Sequence, residues 1–327
     1  MLRASPGGER DHPHFTCRAP PRQRGACLAA LRLCEQRVDQ LLQHTLNALI
    51  LGGTYALLGI GLTLIFGIMR VVNFTHGELY AFGAYMMYLW VMLAGMNFYL
   101  AMVLAVALGV LLGGAIELVL LRRLKGADID TTMLVMIGAW IALQNLEQWT
   151  WSGVAKSITA PFPATPLVLG PISVSWNRLF VFVVASVLIL ATHALINHSK
   201  LGKAMRATFQ DRETAALMGI AIDRIHTATF ALGSGLAAAA GALLGPVFVA
   251  YPSMGDLASL KAFAIVILGG LGSIPGATAG GFILAFIEEL GAGYISSGFR
   301  DGMGFLLIIV ILIVKPTGLF ARRERIG

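Results

Sequence analysis

From Thr45 to Ile68 the chain reads TLNALILGGTYALLGIGLTLIFGI, a stretch without a single Asp, Glu, Lys or Arg. A helix needs about 20 such residues to cross a bilayer. Similar runs lie near 76–95, 98–121, 132–149, 179–197, 227–249, 257–271, 276–295 and 302–315. No water reaches the hydrocarbon to satisfy a bare backbone, so only helices and closed barrels span it. Barrel strands alternate apolar and polar residues, whereas these runs are continuous. The expectation is an all-α polytopic membrane protein, a bundle of eight or nine transmembrane helices. The runs at 257–271 and 302–315 are short, which predicts tilted, broken or re-entrant segments there.

The composition agrees. Charged residues make up 13% of the chain, about half of what a soluble domain carries. The net charge of +7 is gathered in short loops and not on one folded face, which argues against a nucleic-acid partner. Arg122, Arg123 and Lys125 mark one loop, and Lys200, Lys203, Arg206, Arg212 and Arg224 a second; Arg322, Arg323 and Arg325 follow Pro316. Alternating helices bring all three to one side, the cytoplasmic one by the positive-inside rule. The segment 150–178 then lies outside, with Trp149, Trp151 and Trp176 as interfacial anchors.

Residues 1–37 stand apart. They hold seven Arg, no Lys and all three cysteines, Cys17, Cys27 and Cys34. They contain no apolar core of signal-peptide type. Seven Arg against Glu9, Asp11 and Glu35 give +4 of the chain's +7, placed where nine helices would put the N-terminus outside. A disordered extension is expected there, with Val38 as the working start of a membrane domain covering 38–327.

Ionisable groups inside a span cost about 2.5–3.5 kcal/mol each on insertion scales. The candidates are Glu78, Glu117, Glu147, Lys261, Glu288 and Glu289. Glu117, close to Arg122 and Arg123, reads as an interfacial residue. Lys261 lies deeper, and no sequence rule pairs it with a particular acid. The stretch VVNFTHGELYAFGAY places Asn73, Thr75, His76 and Glu78 together at the mouth of an apolar run. Two readings stay open: a polar break lining a route or gate, or a helix start capped by Asn73 or Thr75.

Gly272, Gly276 and Gly280, and likewise Gly241 and Gly245, recur at four-residue spacing and predict smooth helix faces for close packing. No glycine run leads into the Lys–Ser/Thr of a phosphate-binding loop. No catalytic set or metal set is legible: HExxH and GxSxG are absent, and His193 and His198 are five apart, off a common helix face. No cofactor is expected.

The segment 198–226 is too long for a turn and too polar to span. It reads as a short helix with small residues Ala215, Ala216 and Gly219 behind Glu213. One reading lays it in lipid headgroups through Lys200, Lys203 and Arg206; the other docks it in a partner's groove. The pattern Glu213, Ala215, Ala216, Gly219 resembles the cytoplasmic coupling motif of ABC-importer permeases. It departs at Thr214 and lacks the later Leu-Pro element. VNFTHGELYAFGAY and VILGGLGSIPGATAGG are similar to signature stretches of branched-chain amino-acid importer permeases of the LivH type, and the likeness runs from about residue 41 to the C-terminus.

The resemblance implies a non-catalytic permease subunit in a bacterial inner membrane. Its partners would be a second, LivM-like permease subunit, two cytoplasmic ATP-binding subunits that hydrolyse ATP, and a periplasmic substrate-binding protein. Permeases for urea and short amides share much of the pattern. A secondary transporter coupled through Glu78, Lys261 or Glu288 is the rival of another class, and it would have no use for a docking helix at 198–226.

Overall fold

The computed structural model describes residues 24–320, apart from 125, 164, 170–171 and 316–317. Residues 1–23, Lys125, Pro316, Arg322, Arg323 and Arg325 therefore lie outside the described residues. The helices are α1 (Arg24–Met69), α2 (His76–Tyr88), α3 (Phe98–Val119), α4 (Ile129–Trp151), α5 (Trp176–His198), α6 (Lys200–Gln210), α7 (Arg212–Leu217), α8 (Ile222–Leu244), α9 (Met254–Gly269), α10 (Ile274–Tyr294) and α11 (Arg300–Val314). Among the described residues one antiparallel hairpin, β1 (Leu167–Leu169) and β2 (Ile172–Val174), pairs Leu167 with Val174 and Leu169 with Ile172. The described part of α1 is helical from Arg24 through residue 37 and on to Met69.

The molecule is an all-α membrane protein. Among the described residues five segments are long and apolar enough to cross a bilayer: Arg37–Met69, Phe98–Leu124, Ile129–Trp151, Trp176–His198 and Ile222–Leu244. The pair α9 and α10, bent by 119°, makes a sixth if counted as one span. The count falls below the eight or nine expected because α2, α9 and α11 have only 13, 16 and 15 residues, less than the roughly 20 a full crossing takes.

α1 and α8 are the buried centre. Their most apolar windows are 83% and 78% buried, against 6% in α4. The reason is in the sequence of α8, whose run GSGLAAAAGALL offers almost no side-chain bulk. Small residues let backbones approach, the main source of helix association where lipid is as apolar as the protein. Gly233 faces Gly61 of α1, Ala238 lies under Gly83 of α2 and Gly109 of α3, and a side chain at Gly241 would overlap the Tyr80 carbonyl.

The turn between α9 and α10 is written residue by residue. Gly270 and Gly272 take φ of +90° and +81°, which only glycine adopts freely. Ser273 then caps α10 by accepting the Gly276 N–H at 3.2 Å, and Pro275 occupies the first turn. Gly272 thus stands in the turn and not on the helix face expected of it. Gly276 packs on Gly269 and Gly280 on the Ile265 carbonyl; Gly245 of the α8 pair meets Ile158 and Ala84.

The bundle has two distinct ends. At one, Gln43 of α1 exchanges hydrogen bonds with the backbone of Ser173 in the hairpin at 2.9 and 3.0 Å, and Arg178 donates to Asn47 at 2.7 Å. At the other, Gly67 lies beside Phe209 of α6 and Gly272, and the Leu319 N–H donates to the Leu268 carbonyl at 2.9 Å. Arg122 belongs to this second, basic end, where it donates to Thr227 at 3.2 Å, and Thr227 in turn donates to buried Glu117.

Candidate functional site

α1 ends at Met69, and residues 70–73 run non-helically back alongside it before α2 begins at His76. The imidazole Nε2 of His76 lies 3.0 Å from the Leu58 carbonyl. A carbonyl can only accept, so Nε2–H is the donor. At 1.5 Å per residue, Leu58 is about 14 Å from the Gly67 end of α1 and about 22 Å from Gln43. The imidazole at the start of α2 therefore meets α1 part-way along its length and not at its end. The non-helical residues 70–73 carry it there.

Asn73, Thr75, His76 and Glu78 are all fully buried. The Asn73 side-chain oxygen accepts from the Thr75 N–H at 3.1 Å and from its hydroxyl, closing an Asx-turn. Neither residue caps α2 with its side chain. The Gly77 N–H instead donates to Ser259 Oγ of α9 at 2.9 Å, and that hydroxyl donates to the Phe74 carbonyl at 3.2 Å. The cap thus arrives from the opposing helix. It can reach because Gly77 has no side chain: a Cβ there would overlap the Gly255 carbonyl and Ser259.

Glu78 lies against Gly255, its Oε1 accepting the Trp140 indole N–H of α4 at 3.1 Å. The same N–H is 3.2 Å from Asp256 Oδ1, and Gln144 donates to both Asp256 oxygens at 2.9 Å. Glu78 Oε2 and Glu147 Oε2 are buried without a hydrogen-bond partner among the described residues. Such an arrangement can accept a hydrogen bond from a positively charged or hydrogen-donating group. Among the described residues no three His, Cys, Asp or Glu side chains are grouped to hold a metal ion.

A second polar cluster joins α1, α9, α10 and α11. Lys261 Nζ lies 2.8 Å from Glu288 Oε2, 2.8 Å from Asp301 Oδ1 and 2.7 Å from the Tyr55 hydroxyl. The Tyr55 hydroxyl donates to Glu288 at 2.8 Å. Next to it Arg300 donates to Glu289 at 2.8 Å, and Asn47 donates to the other Glu289 oxygen at 3.1 Å. The acids that sequence could not assign to Lys261 are thus Glu288 and Asp301.

At the basic end α6 and α7 form the polar segment between α5 and α8. Asp211 caps α7: its Oδ1 accepts from the Glu213 N–H at 2.9 Å and the Thr214 N–H at 3.1 Å, and Oδ2 from the Thr214 hydroxyl. The Thr214 hydroxyl, with these N–H groups, holds the Asp211 carboxyl below the usual carboxylate range. Gly219 takes φ +84° and donates to the Ala216 carbonyl at 3.0 Å, ending the helix. Ala215 is buried, whereas Glu213, Ala216 and Gly219 are exposed. Leu217 and Met218, which the small-residue pattern passed over, are 87% and 80% exposed. The signal for them was present: two large apolar residues beside a helix-ending glycine in a polar segment.

A bundle of apolar helices that encloses a broken helix, an imidazole and several carboxylates is a multi-pass membrane protein with a polar interior, of the kind transport proteins build. Residues 44–314 match the family described as branched-chain amino acid transport system / permease component, and the chain belongs to that family. It is 35% identical over 296 residues to the high-affinity branched-chain amino acid transport system permease protein LivH of Salmonella typhimurium, covering 86% of this chain and 96% of that protein. The corresponding permease BraD of Pseudomonas aeruginosa is 36% identical over 297 residues, with the same coverage. LivM of Escherichia coli K12, also a branched-chain amino acid transport system permease, is 25% identical over 287 residues, 81% of this chain and 67% of that protein. No solved structure matches the chain.

Proposed function

We propose that this chain is a permease subunit of an ATP-driven importer, carrying branched-chain amino acids across a bacterial inner membrane. The observation that carries this reading is the family match across nearly the whole helical bundle. A second permease subunit, two cytoplasmic ATP-binding subunits and a periplasmic substrate-binding protein complete the importer. The likeness to LivM, a permease different from LivH, supports an unlike pair of permeases. The chain itself is non-catalytic, and its partners hydrolyse ATP.

In this reading the basic end is cytoplasmic and the hairpin end receives substrate. The chain crosses nine times, with α2, α9 and α11 completing passes that are too short by themselves and lie against protein. The segment 198–226 is the coupling loop. It engages an ATP-binding subunit through Glu213, Ala216 and Gly219, seated by Ala215, with Leu217 and Met218 as its apolar contact. Asn73, Thr75, His76 and Glu78 line the route or its gate at mid-height.

Uptake of radiolabelled leucine by cells expressing the complete importer tests the reading. Glu78→Gln keeps an oxygen for the Trp140 N–H and removes the carboxylate charge. Hydrogen bonds to charged groups are worth about 1.5–3 kcal/mol, so leucine uptake is expected to fall about tenfold or more while the ATP-binding subunits still co-purify. Undiminished uptake would return the cluster to the role of starting α2.

A further inference from the structure

A cavity of about 310 Å³ lies between α1, α2, α9, the start of α11 and the segment joining α8 to α9. That is the lower bound of the roughly 300–1,000 Å³ seen for small-molecule sites, so it suits one compact ligand. Its lining is sorted by chemistry. Leu51, Leu58, Tyr80, Leu244, Leu257 and Ala258 make an apolar body, while Lys261, Arg300 and Asp301 bring the charges from α9 and the first turn of α11. Charged groups on a cavity wall orient a ligand, and apolar walls supply most of the contact area.

We propose that this cavity holds the translocated amino acid, its branched side chain against the apolar wall and its ammonium and carboxylate groups against Asp301, Arg300 and Lys261. The proposal rests on the importer reading above. Lys261 and Arg300 bring positive charge, and Glu288, Glu289 and Asp301 bring carboxylates, with the His44 imidazole also 3.5 Å from Glu289, so groups of both signs meet at the cavity as a zwitterion needs. For the ammonium group Asp301 is the reachable carboxylate, with its side chain 44% exposed against 2% for Glu288 and 11% for Glu289. For the carboxylate there is Arg300, which lines the cavity with its side chain 30% exposed. A neutral ligand such as urea would use neither charge and leave the apolar wall bare. The position also fits. Phe248 and Val249, in the segment that follows α8, are part of the lining and partly exposed. Neighbouring Ala250 pairs with Lys156 of the segment at the hairpin end, where substrate is delivered.

The test is a change of preference in the complete importer. Ala258 is buried on the cavity wall, so Ala258→Leu removes room for a ligand side chain. A single methylene in an apolar pocket is worth about 10–200-fold, and the ratio of leucine to valine uptake is expected to drop about tenfold or more. Leu257→Trp narrows the cavity from a partly exposed position and should lower the ratio in the same direction even where Ala258→Leu fails to reach the membrane. Variants present at wild-type abundance that keep the wild-type ratio, or lose both substrates equally, would overturn the cavity assignment and leave the importer reading standing. A wild-type importer that takes up neither amino acid would remove the importer reading, and the cavity assignment with it.

Discussion

Aspartate at both Leu217 and Met218 is expected to abolish ATP-driven uptake while leaving the chain in the membrane. These side chains are 87% and 80% exposed, and α7 is held in place without them: Asp211 caps its start, Ala215 seats it and Gly219 ends it. Burying a Leu or Met against a partner is worth about 1.5–3 kcal/mol each. Losing both and burying two carboxylates in their place predicts a fall in affinity for the ATP-binding subunit of more than about a hundredfold. Co-purification of the ATP-binding subunits and leucine uptake should fail together, while the amount of chain in the membrane stays unchanged. Wild-type uptake by the double variant would remove α7 from the coupling surface. At Gly219 the constraint is different. A Cβ there meets nothing within 4 Å, and it is the φ of +84° that excludes other residues. Substitution there disturbs the end of α7 through backbone strain and not through crowding.

The parts legible in the sequence are those with local causes. Long apolar runs gave α1, α3, α4, α5 and α8, because a spanning helix satisfies its own backbone. The break before His76 showed as polar residues in an apolar context, and the α9–α10 turn as Gly-Leu-Gly-Ser-Ile-Pro. What stayed hidden was joined across long separations. Ser259 caps α2 from 182 residues away, and Tyr55 meets Glu288 across 233. No periodicity reports such pairs. The depth of His76 was hidden for a related reason: mean hydropathy cannot distinguish a full crossing from a non-helical return followed by a short helix of 13 residues. The helix-start residues show the same limit. Asn73 and Thr75 have the right chemistry to cap α2, yet they bond each other, since Gly77 and Gly255 let α9 come close enough for Ser259 to do so instead.

Lys261→Met is expected to destabilise the chain by about 3–5 kcal/mol, the usual cost of removing one partner of a buried ion pair. Methionine keeps the length of the side chain and loses the ammonium. Glu288, 1% exposed, would keep, among the described residues, the Tyr55 hydroxyl at 2.8 Å, and a carboxylate left in an apolar interior without a cation is costly. The pairing, more than the lysine itself, is what counts, so a second change should repair the first. In Lys261→Met with Glu288→Gln no buried charge is left over, and the carbonyl oxygen of the introduced glutamine can still accept from Tyr55. Residues in one hydrogen-bonded network couple by about 0.5–3 kcal/mol, so the double variant should recover much of the loss. Heating the detergent-solubilised protein and following what remains folded compares the wild type, the two single variants and the double. If Lys261→Met melts with the wild type, Lys261 contributes no net stability through Glu288. If the double variant is no better than Lys261→Met alone, the loss comes from the missing contacts of Lys261 with Tyr55 and Asp301, and not from an uncompensated carboxylate.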